Sequence, residues 1–233
     1  MRVIGHRGCP ALGPENTLAA FRAAAARLDW VELDVRRCAS GELVVFHDST
    51  LDRLTEATGP VADATRSELR ALRVGDSEES IPTLAEVFAA LPDRVSVNVE
   101  LKEAGLADDI VALVADAAND VLVSSFDPDA LREVREAAER EGALGTTDLP
   151  RAFLFATDWD RSLRVAAELD CVAVHPHYDL LSAVRVAEAH DAGFELNAWT
   201  VLEREVVERL REWGVDGVIV DDPAVVGNGL REA

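Results

Sequence analysis

Short apolar runs alternate with amphipathic segments along this chain, and this alternation constrains the fold more than any other feature. The strand-like runs are residues 2–6, 30–36, 43–47, 95–101, 121–125, 152–155, 171–175, 194–199 and 217–220. The segments with helical periodicity between them are 17–28, 84–90, 108–117, 128–140, 161–169, 182–192 and 203–213. Strands joined through helices pair in parallel with right-handed crossovers. If 43–47 continues the second strand, eight β/α units remain, which predict an α/β fold, a compact (β/α)₈ TIM barrel.

An open, doubly wound parallel sheet is the alternative to the barrel. It is less favoured because no Gly-x-Gly-x-x-Gly follows the first strand and polar residues gather at several strand ends.

One stretch interrupts the alternation of strands and helices: residues 49–82 are rich in Thr, Asp, Glu, Gly and Ser, with a helical piece at 65–73. This stretch predicts a small insertion after the second strand, a rim or lid element, within a single domain of residues 1–233.

The charge of the chain is strongly acidic. Its 44 acidic and 23 basic residues give a formal net charge of −21. Nucleic acids and anionic membranes bind basic surfaces, so this balance argues against both as partners. Lys102 is the single lysine, and all other basic residues are arginines. An acidic surface poor in lysine is typical of proteins from salt-rich cytoplasm and predicts a halophilic protein; GC-rich coding is the alternative origin of the arginine bias.

The sequence predicts a cytoplasmic protein without a membrane anchor. Residues 1–4 lead at once into a polar motif, and no apolar stretch approaches the roughly 20 residues that span a bilayer. Cys9, Cys38 and Cys171 are odd in number and far apart. This pattern favours free thiols in a reducing compartment over a disulfide framework or a zinc site.

Acidic side chains alternate with apolar ones in two of the predicted strands. Because side chains alternate between the two faces of a strand, Glu32 and Asp34 share a face, and Glu100 shares one with Lys102. Carboxylates in strands this apolar are costly to bury unpaired. Hard oxygen ligands suit Mg²⁺, Ca²⁺ or Mn²⁺ rather than Zn²⁺. The cluster therefore predicts a divalent metal ion as cofactor; an ion-pair network with Arg36 and Lys102 is the alternative.

Two histidines and two cations adjoin the same predicted strand ends. His6 and His47 suit general acid and base catalysis on either side of a reacting phosphorus. Arg7 offers a planar fork that matches phosphate oxygens, and Lys102 offers a point charge. Each histidine taken singly could instead be a packed or capping residue, and both cations could simply neutralise the acids. The sequence leaves open which histidine is the acid and which the base.

Motifs spread over nearly the whole chain resemble a known family. They are His6-Arg7-Gly8, Pro14-Glu15-Asn16-Thr17, Glu32-Leu33-Asp34-Val35, Gly41-Glu42-Leu43-Val44-Val45-Phe46-His47-Asp48, Leu51-Asp52-Arg53-Leu54-Thr55, Gly59, Ile81-Pro82-Thr83-Leu84, Glu100-Leu101-Lys102, Ser124-Ser125-Phe126, Asn197-Ala198-Trp199-Thr200-Val201 and residues 214–223. In this order they resemble the signature of the glycerophosphodiester phosphodiesterases.

The resemblance implies a TIM barrel of the phospholipase C-like phosphodiesterase type that hydrolyses glycerophosphodiesters to sn-glycerol 3-phosphate and an alcohol. Carried over by position, the resemblance implies that His6 and His47 are the acid and base and that Glu32, Asp34 and Glu100 bind Mg²⁺, Ca²⁺ or Mn²⁺. It implies that Arg7 and Lys102 bind the phosphate and that Trp199 forms a wall of the glycerol pocket. Glu15 and Asn16 are implied to shape the rim near the metal. The partner it implies is a small-molecule substrate.

Two departures from the family pattern are expected to leave the site intact. Cys38 stands where the family often has threonine, and Ser40-Gly41 still supports the turn there. The run Asp221-Asp222-Pro223 resembles a short acidic insertion and is expected to be harmless to the site.

Two other functions remain as alternatives. A phospholipase D of the sphingomyelinase D type would share the two histidines and the acidic cluster, but the chain lacks the secretion signal and disulfide-forming cysteines of that group. A catalytically silent barrel that binds phosphodiesters would be expected to have lost at least one histidine or acid, and none is missing. The alcohol part of the substrate, the preferred ion and the oligomeric state are not predicted.

Overall fold

The computed structural model describes residues 1–142 and 149–227, and these form a closed barrel. The strands are β1 (Arg2–Gly5), β2 (Trp30–Arg37), β3 (Leu43–Val45), β4 (Ser96–Leu101), β5 (Val121–Ser125), β6 (Arg151–Phe155), β7 (Ala173–Pro176), β8 (Glu195–Ala198) and β9 (Gly217–Val220). The helices are α1 (Leu18–Ala25), α2 (Arg66–Ala71), α3 (Leu84–Ala90), α4 (Ala107–Ala115), α5 (Pro128–Gly142), α6 (Trp159–Glu168), α7 (Ala183–Asp191) and α8 (Arg204–Glu212).

Eight of these strands close into a ring. Strands β1, β2 and β4 to β9 pair in parallel in chain order, and β1 pairs with both β9 and β2. This closure confirms the predicted (β/α)₈ barrel, and the open doubly wound sheet is wrong. Residues 143–148 and 228–233 of the predicted 1–233 domain lie outside the described residues.

Strand β3 overturns one prediction. Residues 43–47 do not continue the second strand, because β3 runs antiparallel to β2, with Val35 opposite Val45. Strand β2 has eight residues, and β1, which has four, pairs only with its first two. The upper half of β2 therefore has an edge that β1 does not reach, and β3 pairs there. This hairpin turns the chain back toward the barrel mouth and brings His47 to the central pocket.

The two faces of the strands differ in chemistry. Outward-facing residues such as Val31, Leu33, Val97 and Val99 are fully buried against the helices in one continuous apolar core. This burial is the main source of stability in a barrel of this size. Among the described residues the longest helix is α5, with 15 residues, and its apolar residues are buried. Within the described parts of the chain, no helix combines the length and apolarity that crossing a bilayer requires.

Residues 49–82 lie between β3 and α3 and contain α2. Together with the hairpin they bury a second apolar cluster, which consists of Cys38, Val44, Phe46, Leu51, Val61, Leu69, Val74 and Ile81. Both helices here begin with a capping box: Thr65 and Glu68 cap α2, and Thr83 and Glu86 cap α3. The segment is thus packed through this cluster against the hairpin that precedes His47.

Candidate active site

Three acidic side chains meet inside the barrel at the carboxyl ends of β2 and β4. Asp34 pairs in register with Glu100, and Glu32 lies two residues earlier on the same face of β2. Each of the three offers a carboxylate oxygen within 4.8 Å of the others, and all three are buried. The register of two parallel strands therefore produces the acidic cluster that the alternation in the sequence predicts.

Two cations lie against this cluster. Lys102 forms ion pairs with Glu100 and, at 3.3 Å, with Asp34. The Arg7 Nε lies 3.3 Å from Asp34 Oδ2, and the Arg7 amide donates to Glu32 Oε2 at 2.8 Å. Burial would raise the pKa of Asp34, but the charges of Lys102 and Arg7 outweigh it and lower that pKa. Burial, with the charge of Asp34 second, raises the pKa of both Glu32 and Glu100.

The cluster has more negative charge than its two cations balance. Among the described residues, Glu32 Oε1 is buried without a hydrogen-bond partner. Asp34 Oδ1 also accepts no hydrogen bond there and has only its ion pair with Lys102. Buried carboxylate oxygens are ordinarily satisfied. Three converging hard oxygen donors with unsatisfied lone pairs fit a divalent cation such as Mg²⁺, Ca²⁺ or Mn²⁺.

A tight turn after β1 delivers Arg7 to the cluster. Residues His6–Gly8 form a 3₁₀ turn in which Arg7 has a φ of 50° and Gly8 a φ of 76°. The left-handed conformation is costly for a side chain other than glycine. Here it aims the Arg7 amide at Glu32, so a hydrogen bond to the acidic cluster accompanies the strain.

His6 is paired with an acid that follows the last strand of the barrel. Its Nδ1 lies 2.6 Å from Asp221 Oδ1. Burial alone would lower the pKa of His6, but the hydrogen bond with Asp221 and the charge of Glu32 outweigh burial and raise the pKa. Asp221 therefore supports the site as the partner of His6, which is more than the harmless run that the sequence predicts. Its position directly after β9, the strand that pairs with β1, was the available signal.

His47 has a different environment. Its Nδ1 lies 2.7 Å from Asp48 Oδ1, the next residue in the chain. Burial, together with the charges of Lys102 and Arg7, lowers the pKa of His47 and outweighs the charge of Asp34 and the hydrogen bond with Asp48. The two histidines of one pocket thus have pKa values displaced in opposite directions.

Glu15 and Asn16 lie behind the two cations and the acids rather than in the pocket. Glu15 Oε1 accepts a hydrogen bond from Arg7 Nη1 at 2.8 Å. Asn16, with a φ of 59°, donates from its amide to Asp34 Oδ2 at 2.8 Å. Both side chains therefore orient groups of the site through direct hydrogen bonds.

An aromatic wall closes one side of the pocket. Trp199 is oriented by a 2.7 Å hydrogen bond from its Nε1 to the carbonyl of His175. Phe126 packs edge-to-face on Trp199 with ring centroids 5.3 Å apart, and His177 does so from another side at 5.1 Å. Phe126, which is 43% exposed, belongs to a motif that the sequence offers, but the sequence does not assign it to the site. An aromatic residue directly after β5 was the signal.

The structure brings all ten predicted site residues together. The pocket of about 90 Å³ is lined by His6, Arg7, Glu32, His47, Asn98, Glu100, Lys102, Phe126, Leu154, Trp199, Thr200 and Ile219. Asp34 lies between the two cations, Glu15 contacts Arg7, and Asn16 contacts Asp34. The arrangement combines an acidic cluster, two cations and two histidines. Such groups can bind a metal ion, bind an anionic ester and transfer protons during its cleavage.

Comparison with known proteins identifies what this arrangement resembles. Residues 6–225 match the model of the glycerophosphoryl diester phosphodiesterase family. A glycerophosphodiester phosphodiesterase of Caldanaerobacter subterraneus subsp. tengcongensis is 34% identical over 245 residues, covering 99% of this chain and 98% of that protein.

Solved structures agree with this match. A phosphodiesterase of Oleispira antarctica, crystallised with the product sn-glycerol-3-phosphate, superposes with a TM-score of 0.84 at 28% identity, covering 96% of this chain and 94% of that one. A glycerophosphodiester phosphodiesterase of Thermotoga maritima gives a TM-score of 0.79 at 31% identity, with coverage of 95% and 94%.

Proposed function

The chain belongs to the glycerophosphoryl diester phosphodiesterase family, and from this premise we propose that it hydrolyses glycerophosphodiesters to sn-glycerol 3-phosphate and an alcohol by metal-dependent, two-histidine catalysis. One observation carries the proposal: three carboxylates whose oxygens lie within 4.8 Å of one another share a pocket with two cations and two histidines. The product in the Oleispira antarctica structure is of the same class as the product proposed here.

The divalent cation is assigned to Glu32, Asp34 and Glu100. Their oxygen donors and the unpartnered Glu32 Oε1 among the described residues fit an ion that prefers hard ligands. Such an ion supplies Lewis-acid stabilisation of charge on the phosphoryl group when it is bound. Asn16 would hold the Asp34 carboxylate in place for it through the 2.8 Å hydrogen bond.

Arg7 and Lys102 are assigned to the phosphate. Both cations line the pocket, and both are anchored to the acidic cluster on one side. A phosphodiester carries one negative charge, and further charge develops on its oxygens as the nucleophile attacks phosphorus. Cations already fixed in the pocket stabilise that charge without reorganising.

His6 and His47 are assigned to proton transfer. One histidine takes a proton from the nucleophile, either water or the glycerol 2-hydroxyl with a cyclic phosphate as intermediate product. The other gives a proton to the alcohol oxygen as its bond to phosphorus breaks. The raised pKa of His6 and the lowered pKa of His47 support His6 as the proton donor and His47 as the acceptor.

Trp199 and Phe126 are assigned to the glycerol end of the substrate. The fixed indole and the phenyl ring beside it form the apolar side of a pocket that is otherwise charged. An aromatic face suits the C–H groups of glycerol, and the charged side suits the phosphate. A small molecule with one apolar edge and one anionic centre fits this division.

We also place the enzyme in a reducing compartment such as the cytoplasm. Cys9, Cys38 and Cys171 are free and buried. Burial raises the pKa of Cys9 and Cys171 to about 12, so both thiols are protonated and inert at neutral pH.

The decisive experiment measures release of sn-glycerol 3-phosphate from glycerophosphocholine and glycerophosphoethanolamine with Mg²⁺, Ca²⁺, Mn²⁺ or EDTA. We expect metal-dependent release that Glu100→Ala abolishes and Glu195→Ala retains, because Glu195 begins β8 at the opposite end of the barrel. Alanine at His6 or His47 is expected to lower turnover by about 10²–10⁴. A melting temperature that rises with the ion in the wild type but not in Glu100→Ala gives a readout independent of turnover.

Two outcomes would contradict the proposal. Full activity in EDTA after extensive dialysis would show that the reaction does not require a metal ion. Release of choline from a long-chain lipid without release from the deacylated diester would favour the sphingomyelinase D-like alternative.

A further inference from the structure

An arginine of the insertion connects two carboxylates that serve different parts of the pocket. Arg53 donates from Nη1 to Glu15 Oε2 at 3.0 Å and from Nη2 to Glu15 Oε1 at 2.8 Å. It also donates from Nε to Asp48 Oδ2 at 2.6 Å and from Nη2 to Asp48 Oδ1 at 3.1 Å. One guanidinium group therefore binds both carboxylates in a bidentate manner.

Each of these carboxylates has a second contact, with a group that lines the pocket. Glu15 accepts from Arg7 Nη1 at 2.8 Å, and Asp48 lies 2.7 Å from His47 Nδ1. A continuous chain of charged hydrogen bonds thus runs from Arg7 through Arg53 to His47.

The chain is built rather than incidental. Glu15 and Asp48 have side-chain exposures of 14% and 23%, although Arg53 itself is 46% exposed. The Arg53 hydrogen bond is the largest influence on Asp48 and lowers its pKa to about 2. The backbone on either side is fixed, because Thr55 donates to the Leu51 carbonyl at 3.1 Å and the Leu54 carbonyl accepts from Gly75 at 2.7 Å.

We propose that Arg53 is a positioning residue for this site. It sets the separation of Glu15 and Asp48, and through them it orients Arg7 and His47 across the pocket mouth. This role rests on the proposed function, in which those two residues bind phosphate and transfer a proton. It also gives residues 49–82 a purpose: the insertion reaches the chemistry through one side chain.

The test compares Arg53→Gln with a matched control in the same insertion, Arg73→Gln. Arg73 has nearly the same exposure, 47%, but pairs with the exposed Glu78 away from the pocket. Misplacing catalytic groups by about 1 Å costs on the order of 10²-fold in rate. We expect Arg53→Gln to lower kcat on glycerophosphocholine by about ten- to a hundredfold. We expect Arg73→Gln to keep the kcat and KM of the wild type. The two variants are expected to have similar melting temperatures.

Two further variants separate positioning from stability. Arg53→Lys keeps the charge but cannot form two bidentate contacts, so it is expected to fall between wild type and Arg53→Gln in kcat. It also carries the test if Arg53→Gln does not fold. Asp48→Asn alone and with Arg53→Gln is expected to show non-additive losses, because both changes break the same chain.

Equal kcat and KM in Arg53→Gln and Arg73→Gln would overturn the inference, as would multiplicative losses in the double variant. If the wild type neither releases nor binds sn-glycerol 3-phosphate, the proposed function fails and this inference fails with it. If the wild type is active and Arg53→Gln is equally active, the positioning role of Arg53 is wrong but the proposed function stands.

Discussion

The surroundings of individual side chains decide what each one can do in this barrel. His6 and His47 line one pocket, yet Asp221 and Glu32 raise the pKa of His6 and burial lowers that of His47. Burial also raises the pKa of Glu32 above its ordinary range, a displacement that a bound cation would reverse. Chemistry with two imidazoles depends on such differences, because identical environments would give both the same protonation state.

A third histidine serves the barrel interior and gives a prediction about stability. His175 is fully buried, and its Nε2 accepts from the Asn197 amide at 2.9 Å. Burial, with the charge of Arg2 second, lowers its pKa to about 3. An unfolded histidine titrates near 6.5, so between pH 6.5 and 3 the unfolded chain binds one more proton at this site. The free energy of unfolding must therefore fall as the pH drops through this window.

The measurement is urea unfolding of the wild type and His175→Gln at pH 7 and pH 5. We expect the wild type to lose about 2 kcal/mol more than the variant over this interval, from a limiting slope of about 1.4 kcal/mol per pH unit. The carboxylates titrate alike in both proteins, so their contribution cancels in the comparison. Identical pH dependence in the two proteins would show that His175 titrates normally in the folded state.

At the scale of single elements, the turn after β1 depends on one glycine. Gly8 has a φ of 76°, and a Cβ added there would lie 3.0 Å from the Ala20 carbonyl carbon and from Phe21 Cδ1 in α1. Gly59, with a φ of 100°, has no atom within 4 Å of such a Cβ. Alanine at either position incurs backbone strain of about 1–3 kcal/mol. Alanine at Gly8 must also move the turn away from α1.

We therefore expect Gly8→Ala to lower both the melting temperature and kcat/KM more than Gly59→Ala does. The loss of activity follows because moving the turn displaces the Arg7 amide from Glu32 Oε2. Thermal unfolding and steady-state kinetics on glycerophosphocholine measure the two effects. Equal losses in the two variants would mean that helix α1 yields to the added methyl group without disturbing the turn.

The elements also explain which parts of the structure are readable from the sequence. Period-two alternation predicts which acids share a face, and strand register then places Asp34 directly beside Glu100. Short-range pattern does not distinguish a run that continues β2 from a strand that turns back and pairs antiparallel with it, which is why the prediction for residues 43–47 is wrong. Likewise Asp221 meets His6 across 215 residues of chain, and only closure of the barrel makes them neighbours.

At the scale of the whole molecule, the charge is unbalanced outside the pocket as well as inside it. The acidic excess of 21 charges is spread over a 25.2 kDa chain, including the half-buried Glu133 and the exposed Glu136 and Glu139 of helix α5. Self-repulsion of this size destabilises the compact state at low ionic strength. The pocket holds two cations beside three acids, so an anionic substrate would depend on those two charges and on the proposed metal ion to offset the surrounding repulsion.

Salt should therefore stabilise this protein. Charges more than about 10 Å apart interact at 0.1 M salt only weakly, and at 1 M the screening length falls to about 3 Å, which suppresses most repulsion between surface carboxylates. We expect the melting temperature to rise between 0.1 M and 1 M KCl, and the rise to shrink when Glu133, Glu136 and Glu139 are replaced by glutamine, because less repulsion is left to screen. Loss of folding below about molar salt would establish haloadaptation. If neither the melting temperature nor the activity changed with salt, repulsion between surface carboxylates would have no measurable effect on this protein. Coding bias would then remain as the origin of the arginine-rich, lysine-poor composition.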